Sequence, residues 1–306
     1  MQATEQTTVQ VRRVGAESAA AMLDVVLAAF AARPVLDPPA DALAETTETL
    51  AEELSAHGGL LATLDGRPVG ALVFRDRGDT MMLRRFGVVP SAQGHGVAGA
   101  LVKHAVAAAM GYCELEVLAR EELPETVAFW ERHGFSPVAS TSPYVRLRRE
   151  LPTAWSAADA DAMRELGERL GRAVRAGDLV VLTGELGAGK TTFTQGLGRG
   201  LQVRGDVTSP TFVISRVHPS LVDGPALVHV DAYRLGGVDE LDDLDLDTSL
   251  DEAVTVVEWG AGLAEGLSES RLEVTIERAL ADDATSGPAG AGLDHRVVRI
   301  RRTVAG

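Results

Sequence analysis

Gly184-Glu185-Leu186-Gly187-Ala188-Gly189-Lys190-Thr191 fits the pattern G-x-x-x-x-G-K-[ST] and decides the fold of the second half of the chain. The apolar run Leu179–Thr183 precedes it and a helix is expected from Thr191, so a loop between strand and helix is predicted to wrap phosphate. Glycines let consecutive backbone N–H groups converge on phosphate oxygens, and the helix N-terminus adds a potential that favours negative charge. The cradle runs through Glu185, Leu186, Gly187, Ala188, Gly189, Lys190, Thr191 and Thr192. Lys190 is placed to reach the β- and γ-phosphates, and the Thr191 hydroxyl to ligate Mg²⁺. Lys190 is also one of only two lysines in the chain, the other being Lys103.

A nucleotide bound there needs acids at the ends of neighbouring strands to hold the metal and its waters. Two apolar runs offer them: Ala226–Val230 ends in Asp231, and Val254–Val257 ends in Glu258. Either acid alone also reads as a strand end facing solvent. Together, in a phosphate-binding domain, they read as metal and water-positioning groups. Trp259 is open to two readings, stacking on a base or core packing beside a buried strand. The chain has no asparagine, which excludes the Asn-Lys-x-Asp motif that reads guanine, so the expected nucleotide is ATP.

Four ordered segments in this half carry a resemblance. They are Gly184–Phe193, Ser209-Pro210-Thr211-Phe212, His229-Val230-Asp231-Ala232-Tyr233-Arg234-Leu235 and Val257-Glu258-Trp259. In order and spacing they resemble the TsaE (YjeE) ATPases, over roughly residues 153–280. The resemblance implies a bacterial ATPase supporting N6-threonylcarbamoylation of the adenosine next to the anticodon, acting with TsaB and TsaD subunits. It also implies Mg²⁺ ligation by Thr191 and Glu258, adenine packing by Trp259, a switch-like segment around Thr211, and a need for Asp231 in hydrolysis. Contact with tRNA is expected to be only indirect.

The first half has its own glycine turn, Val88-Val89-Pro90-Ser91-Ala92-Gln93-Gly94-His95-Gly96-Val97-Ala98, between the strand Met81–Val88 and the helix Val97–Met110. A tight turn alone explains two nearby glycines. Backbone N–H groups from Gln93 to Ala98 at a helix N-terminus are also suited to a pyrophosphate. The stretch resembles the acetyl-CoA signature [RQ]-x-x-G-x-[GA] of the GNAT N-acetyltransferases, filled by Gln93, Gly96 and Ala98. Phe129-Trp130-Glu131-Arg132-His133-Gly134-Phe135 resembles that family's closing helix-turn-strand. The likeness spans about residues 8–149 and implies acetyl-CoA contacts from Val88, Gln93, Gly94, His95, Gly96, Val97 and Ala98, with an unknown amine as acceptor. Trp130 stands where a tyrosine acid is often found. Tyr144 is a substitute acid or a core aromatic, and Glu114 and Glu116 are base candidates or a solvated strand face. His95 reads as solvent-facing.

The remaining elements are expected as follows: strand Thr8–Val14; helices around Met22–Phe30 and Leu43–Leu54; hairpin Leu60–Leu64 with Val69–Phe74; strands Glu114–Leu118 and Tyr144–Leu147 flanking a helix Glu125–Arg132; helix Asp159–Arg175; and strand His295–Arg302. The order gives an α/β fold in two domains: a GNAT-like mixed α+β acetyl-CoA-binding domain at 1–150, then a P-loop NTPase-like domain with a mostly parallel sheet at 151–306. Leu151-Pro152-Thr153 marks the boundary. Asp282–Gly292 reads as an exposed loop, and the acidic stretch Asp239–Glu252 as a solvated segment or a docking face for a basic partner.

Charge argues against direct grip on nucleic acid. Residues 1–150 hold 14 Lys+Arg against 19 Asp+Glu, net −5, and residues 151–306 hold 15 against 25, net −10. The single cysteine, Cys113, excludes an internal disulfide and a cysteine-built metal site. The polar N-terminus and the lack of a long apolar run predict a cytoplasmic protein with no membrane partner. The competing expectation is a small P-loop kinase fused to a non-catalytic acyl-CoA-binding module. Kinases usually carry an arginine-rich lid, and in the region just after the P-loop helix only Arg204 and Arg216 are found.

Overall fold

The computed structural model describes residues 8–242, 244, 250–278 and 295–304. Asp282–Gly292 and residues 243 and 245–249 of the acidic stretch lie outside the described residues. The chain divides into two compact units, Met1–Ala109 with Cys113–Leu151, and Met110–Tyr112 with Pro152–Gly306.

The first unit runs β1 (Val9–Val14), α1 (Ala19–Ala31), α2 (Thr47–His57), β2 (Gly59–Leu64), β3 (Arg67–Arg77), β4 (Thr80–Val88), α3 (Val97–Ala108), β5 (Glu114–Arg120), α4 (Pro124–Arg132), β6 (Ser136–Thr141) and β7 (Tyr144–Glu150). Its sheet has the order β1-β2-β3-β4-β5-β7-β6, antiparallel except for the β4–β5 pair. Met22, Val25 and Val26 of α1 and Leu50 and Leu54 of α2 bury against Leu61, Ala71 and Val73 on one face. The α2 helix starts at Thr47 rather than at Leu43, because Thr46 and Thr49 form a reciprocal capping box that defines the first turn.

Parallel pairing of β4 with β5 runs only from Thr80↔Glu114 to Leu83↔Val117, although β4 continues to Val88 and β5 to Arg120. The register of β3 against β4 also slips beyond Ala71↔Gly87, and Arg85 takes a left-handed φ of 52°. A bulge bends a strand and increases its twist. The two central strands therefore part company, and the opening is floored by one of the cavities described below.

The second unit runs β8 (Ala154–Ala157), α5 (Ala160–Ala173), β9 (Leu179–Gly184), α6 (Lys190–Gly200), β10 (Ser215–His218), β11 (Ala226–Asp231), α7 (Val238–Asp242), β12 (Ala253–Glu258), β13 (Ser270–Arg278) and β14 (Arg296–Val304). The sheet order is β10-β11-β12-β9-β13-β14-β8. Its four central strands, β11, β12, β9 and β13, are mutually parallel, and the outer pairings β10–β11, β13–β14 and β14–β8 are antiparallel. Sequence reading finds no strand at β8, β10 or β13. In β13 the alternation of buried Leu272, Val274 and Ile276 with Arg271, Glu273 and Thr275 is legible at period two, but its polar half hides it from a search for apolar runs.

Helices α5 and α6 cover one sheet face through Met163, Leu166, Leu170, Phe193 and Leu197. They meet backbone to backbone. A Cβ placed on Gly167 would lie 2.1 Å from the Phe193 carbonyl oxygen, and one on Gly196 would lie 2.0 Å from that of Arg164. No side chain can be admitted without moving a helix. Gly196→Ala is accordingly expected to destabilise the protein by about 1–3 kcal/mol, seen as a lower Tm in a thermal melt of the full chain. An unchanged Tm would contradict this packing.

Candidate functional site

The topology explains why residues far apart in sequence meet. Strand β12 lies between β9 and β11, with Glu258 level with Leu182 on one side and Asp231 on the other. The loop that leaves β9 therefore passes directly over the C-terminal ends of β11 and β12, where both acids sit. This is the crevice where parallel sheets place their ligands.

The loop is folded as a cradle. Gly187 and Gly189 take left-handed φ values of 76° and 107°, which suit glycine, and Gly189 caps α6. A Cβ on Gly184 would stand 2.6 Å from the Ile276 carbonyl oxygen, so glycine is needed there for close approach. Lys190 is only 5% exposed, and its Nζ donates to the carbonyl oxygens of Gly184 at 2.7 Å and Glu185 at 3.0 Å. Burial depresses the Lys190 pKa below the ordinary lysine value, and the carboxylates of Glu258 and Asp231 oppose that shift. Leu186 is exposed at the loop tip, while Ala188 is buried and its carbonyl accepts from Arg296 Nε at 3.2 Å. Nothing in the local pattern announces Arg296, which comes from β14.

Glu258 is 2% exposed and takes hydrogen bonds from three sides. Thr191 Oγ1 donates to Oε2 at 3.1 Å, Thr194 Oγ1 to Oε1 at 3.3 Å, and His229 Nε2 lies 2.8 Å from Oε1. Thr194 and His229 are both fully buried and were missed in the sequence reading. Their signal was available. His229 stands two residues before Asp231 on the same strand face, and Thr194 three after Thr191 on the same helix face. Asp231, 3% exposed, accepts from Ser209 Oγ at 3.2 Å, from the Thr211 hydroxyl, and from the Tyr233 backbone N–H at 3.1 Å. The segment around Thr211 is thus tied to the acid at the end of β11.

These groups line one cleft of about 370 Å³, walled by Gly187, Gly189, Lys190, Thr191, Thr192, Ser209, Thr211, Asp231, Glu258 and Trp259, with Leu186 and Tyr233 at its edge. Trp259 holds a left-handed φ of 62°, and its ring lies 3.5 Å from Lys190 Nζ and 5.2 Å from the Tyr233 ring. That puts the indole at the end of the cleft that Lys190 serves. Thr191 Oγ1 and a Glu258 oxygen side by side are the hard oxygen donors that Mg²⁺ prefers. Among the described residues no group of three His, Cys, Asp or Glu could hold a metal alone. A Mg²⁺ held by Thr191 and Glu258 would need its other oxygens from phosphate and water.

In the first unit, Gly94 and Gly96 have φ values of 81° and 78°, and Gly96 caps α3 in the left-handed region. Gln93 and His95 are exposed at the turn, with His95 Nδ1 3.0 Å from the Gln93 carbonyl oxygen. Val97 is buried under the helix start, and Val88 and Ala98 are half-buried. The N–H groups of the first α3 turn have no partner within the helix. These N–H groups lie next to the parted ends of β4 and β5.

Between those ends lies a cavity of about 180 Å³ lined by Leu83–Phe86 of β4, Val117–Arg120 of β5, Phe30, Arg33, Trp130 and Tyr144, among others. Tyr144 reaches this cavity, beneath the Arg120 guanidinium at 5.3 Å. Glu114 and Glu116 do not line it. They face Arg148 instead, at 3.0 and 2.8 Å, and Glu116 is 3% exposed. Trp130 packs against Phe86 and Phe135 as a core aromatic.

Residues 157–285 match the family model described as threonylcarbamoyl adenosine biosynthesis protein TsaE, and residues 56–137 match that of an acetyltransferase (GNAT) domain. The tRNA threonylcarbamoyladenosine biosynthesis protein TsaE of Streptomyces coelicolor is 70% identical over 123 residues, covering 40% of this chain and 83% of that protein. The crystal structure of YdiB from Bacillus subtilis aligns over 50% of this chain and 85% of its own, at 29% identity and a TM-score of 0.37. The PaiA N-acetyltransferase of Thermoplasma acidophilum, solved with coenzyme A, aligns over 47% of this chain and 99% of its own, at 14% identity and a TM-score of 0.43.

Proposed function

We propose, from the premise that this chain belongs to the TsaE family and carries a GNAT acetyltransferase domain ahead of that region, that its second unit binds and hydrolyses Mg·ATP in support of tRNA threonylcarbamoylation. The observation that carries this reading is the convergence of Lys190, Thr191, Glu258 and Asp231 on one cleft. The loop N–H groups and Lys190 hold the triphosphate, and Thr191 and Glu258 hold the metal. Bound Mg²⁺ supplies charge neutralisation at the β- and γ-oxygens. Asp231, at the end of the adjacent strand, orients the attacking water. The acidic unit works on the TsaB and TsaD subunits of the threonylcarbamoyl-transferring complex, with tRNA met only through them. No described helix is long and apolar enough to cross a membrane, and the chain acts in the cytoplasm.

The test is phosphate release from ATP by the full chain, alone and with the two partner subunits. Faster release with the partners supports the reading. Phosphate found on a small acceptor instead of in solution overturns it.

His229 gives a sharper expectation. Its Nε2 is the group that turns Glu258 so that Oε2 faces Thr191. Outer partners of metal ligands typically contribute 10–100-fold in metal affinity. His229→Leu is expected to raise the Mg²⁺ requirement by about that factor, and to weaken binding of Mn·ATP while binding of ATP in EDTA stays unchanged. His229→Gln, whose amide nitrogen reaches the same point, restores most of the loss. A Leu variant with wild-type metal dependence removes His229 from this role.

The first unit transfers the acetyl group of acetyl-CoA to an amine. The turn Gln93–Ala98 receives the pyrophosphate, and the gap between β4 and β5 receives the thioester arm. Tyr144, at that gap, is the side chain placed to protonate the leaving thiolate.

A further inference from the structure

We propose that the acetyl acceptor is a primary amine flanked by a carboxylate, and that Arg33 receives the carboxylate. This rests on the acetyltransferase reading of the first unit and names the substrate class of its site.

The argument begins with an imbalance of charge around the cavity between β4 and β5. Four arginines line it, Arg33, Arg84, Arg85 and Arg120, against one acid, Asp41. Three of the four are satisfied by carboxylates. Arg84 is bridged to Glu53 and lies 3.6 Å from Asp41. Arg85 contacts Asp41 at 2.9 Å and gives its Nε to Glu45 at 2.7 Å. Arg120 contacts Glu122 at 2.6 Å and donates to the carbonyl oxygens of Asp37 and Pro38 at 2.9 and 2.8 Å.

Arg33 differs from these. It stands just beyond the C-terminal end of α1, its guanidinium stacked 3.7 Å over the Phe30 ring, and its Nη2 donates to the Phe86 carbonyl oxygen at 3.0 Å. No carboxylate among the described residues pairs with it. Burial pulls its pKa below the ordinary arginine value with nothing to offset it, yet an arginine remains charged. Stacking on Phe30 fixes the plane of the fork, and the bond to Phe86 uses one edge. Nη2 carries two N–H groups, one on the edge it shares with Nε and one on the edge it shares with Nη1, so a single bond to Phe86 leaves one two-donor edge open, which is the geometry a carboxylate accepts.

The rest of the cavity suits a small amine held by such an anchor. Phe30, Phe86 and Trp130 give it apolar walls, and about 180 Å³ admits one small side chain and not a bulky group. Arg33 also serves the chemistry. A neighbouring carboxylate favours the protonated, unreactive amine, and pairing that carboxylate with Arg33 removes the bias. The free amine then forms the C–N bond to the acetyl carbon as the C–S bond breaks. The electron pair leaves on sulfur, the thiolate takes a proton from Tyr144, and the nitrogen gives up its extra proton, which returns to Tyr144 through solvent.

The experiment measures CoA release from acetyl-CoA by the full chain against paired acceptors. Free glutamate, aspartate and alanine are compared with their α-amides, and peptides beginning with Asp or Glu with peptides beginning with Asn or Gln. A charged hydrogen-bonded pair is worth enough that kcat/KM for the carboxylate member is expected to exceed its partner by at least about tenfold. The arm in which this holds tells a free amino acid from a chain end. Arg33→Met, which keeps the length and the contact with Phe30, is expected to bring the ratio to about one, and Arg33→Lys to restore part of it. Equal rates for charged and amidated acceptors, or a ratio that survives Arg33→Met, overturns the proposal alone. Absence of transfer to every acceptor overturns the acetyltransferase reading beneath it.

Discussion

Lys190→Ala is expected to abolish ATP hydrolysis, leaving a rate at least about 10²–10³-fold below wild type, the scale set by removing one donor from a developing negative charge. The structure gives the reason for expecting a large effect. Lys190 is the one lysine of the unit, it is 5% exposed, and its neighbours at the cleft are acids. Among the described residues that line the cleft, none but Lys190 is a cation that could contact the β- and γ-oxygens. Loss of the ammonium also leaves Glu258 and Asp231 facing the triphosphate with less compensating charge, so ATP affinity falls as well. The measurement is single-turnover release of phosphate together with equilibrium binding of ATP. Turnover within a factor of a few of wild type removes the loop from the chemistry.

Asp231→Asn is the second large expectation, and it separates chemistry from binding. The amide keeps the size of the carboxylate, and with its oxygen accepting from the Tyr233 N–H its NH2 can donate to the Thr211 hydroxyl oxygen, but it carries no charge. A residue that orients or activates the attacking water contributes about 10²–10⁴-fold, so kcat is expected to fall by that factor with the affinity for Mg·ATP close to wild type. Glu258 remains in place to face the metal in this variant. An equal loss of Mg·ATP binding would mean that Asp231 belongs with the metal ligands and not with the water.

The sequence made the phosphate cradle legible because it is a local object, with every part inside Gly184–Thr191 and its flanking strand and helix. Asp231 and Glu258 were legible for a related reason, since each closes an apolar run that can only be an interior strand. What sequence reading missed depends on register. The His229–Glu258 contact exists because β11 and β12 lie side by side, in parallel, with Asp231 level with Glu258. No run of residues states that adjacency. Strand β13 was missed because half of its residues are polar, and its place beside β9 is a matter of topology alone. Arg33 shows the same limit in the first unit, since its meaning comes from Phe86, 53 residues away, and from the carboxylates its neighbours have already taken. Trp259, following Glu258 directly, is carried beside Lys190 by the strand that positions the acid.

The bond between Thr211 and Asp231 has a consequence best put mechanically. Ser209 and Thr211 are pinned to a buried carboxylate, and the next two residues, Phe212 and Val213, stand 86% and 57% exposed. The segment is a lever with its short arm in the cleft and its long arm on the surface. Linkage runs both ways along such a lever: whatever favours one setting of the hydroxyls at Asp231 favours one setting of Phe212, by the same free energy. A partner gripping that phenyl ring from outside would be holding one end of the reaction.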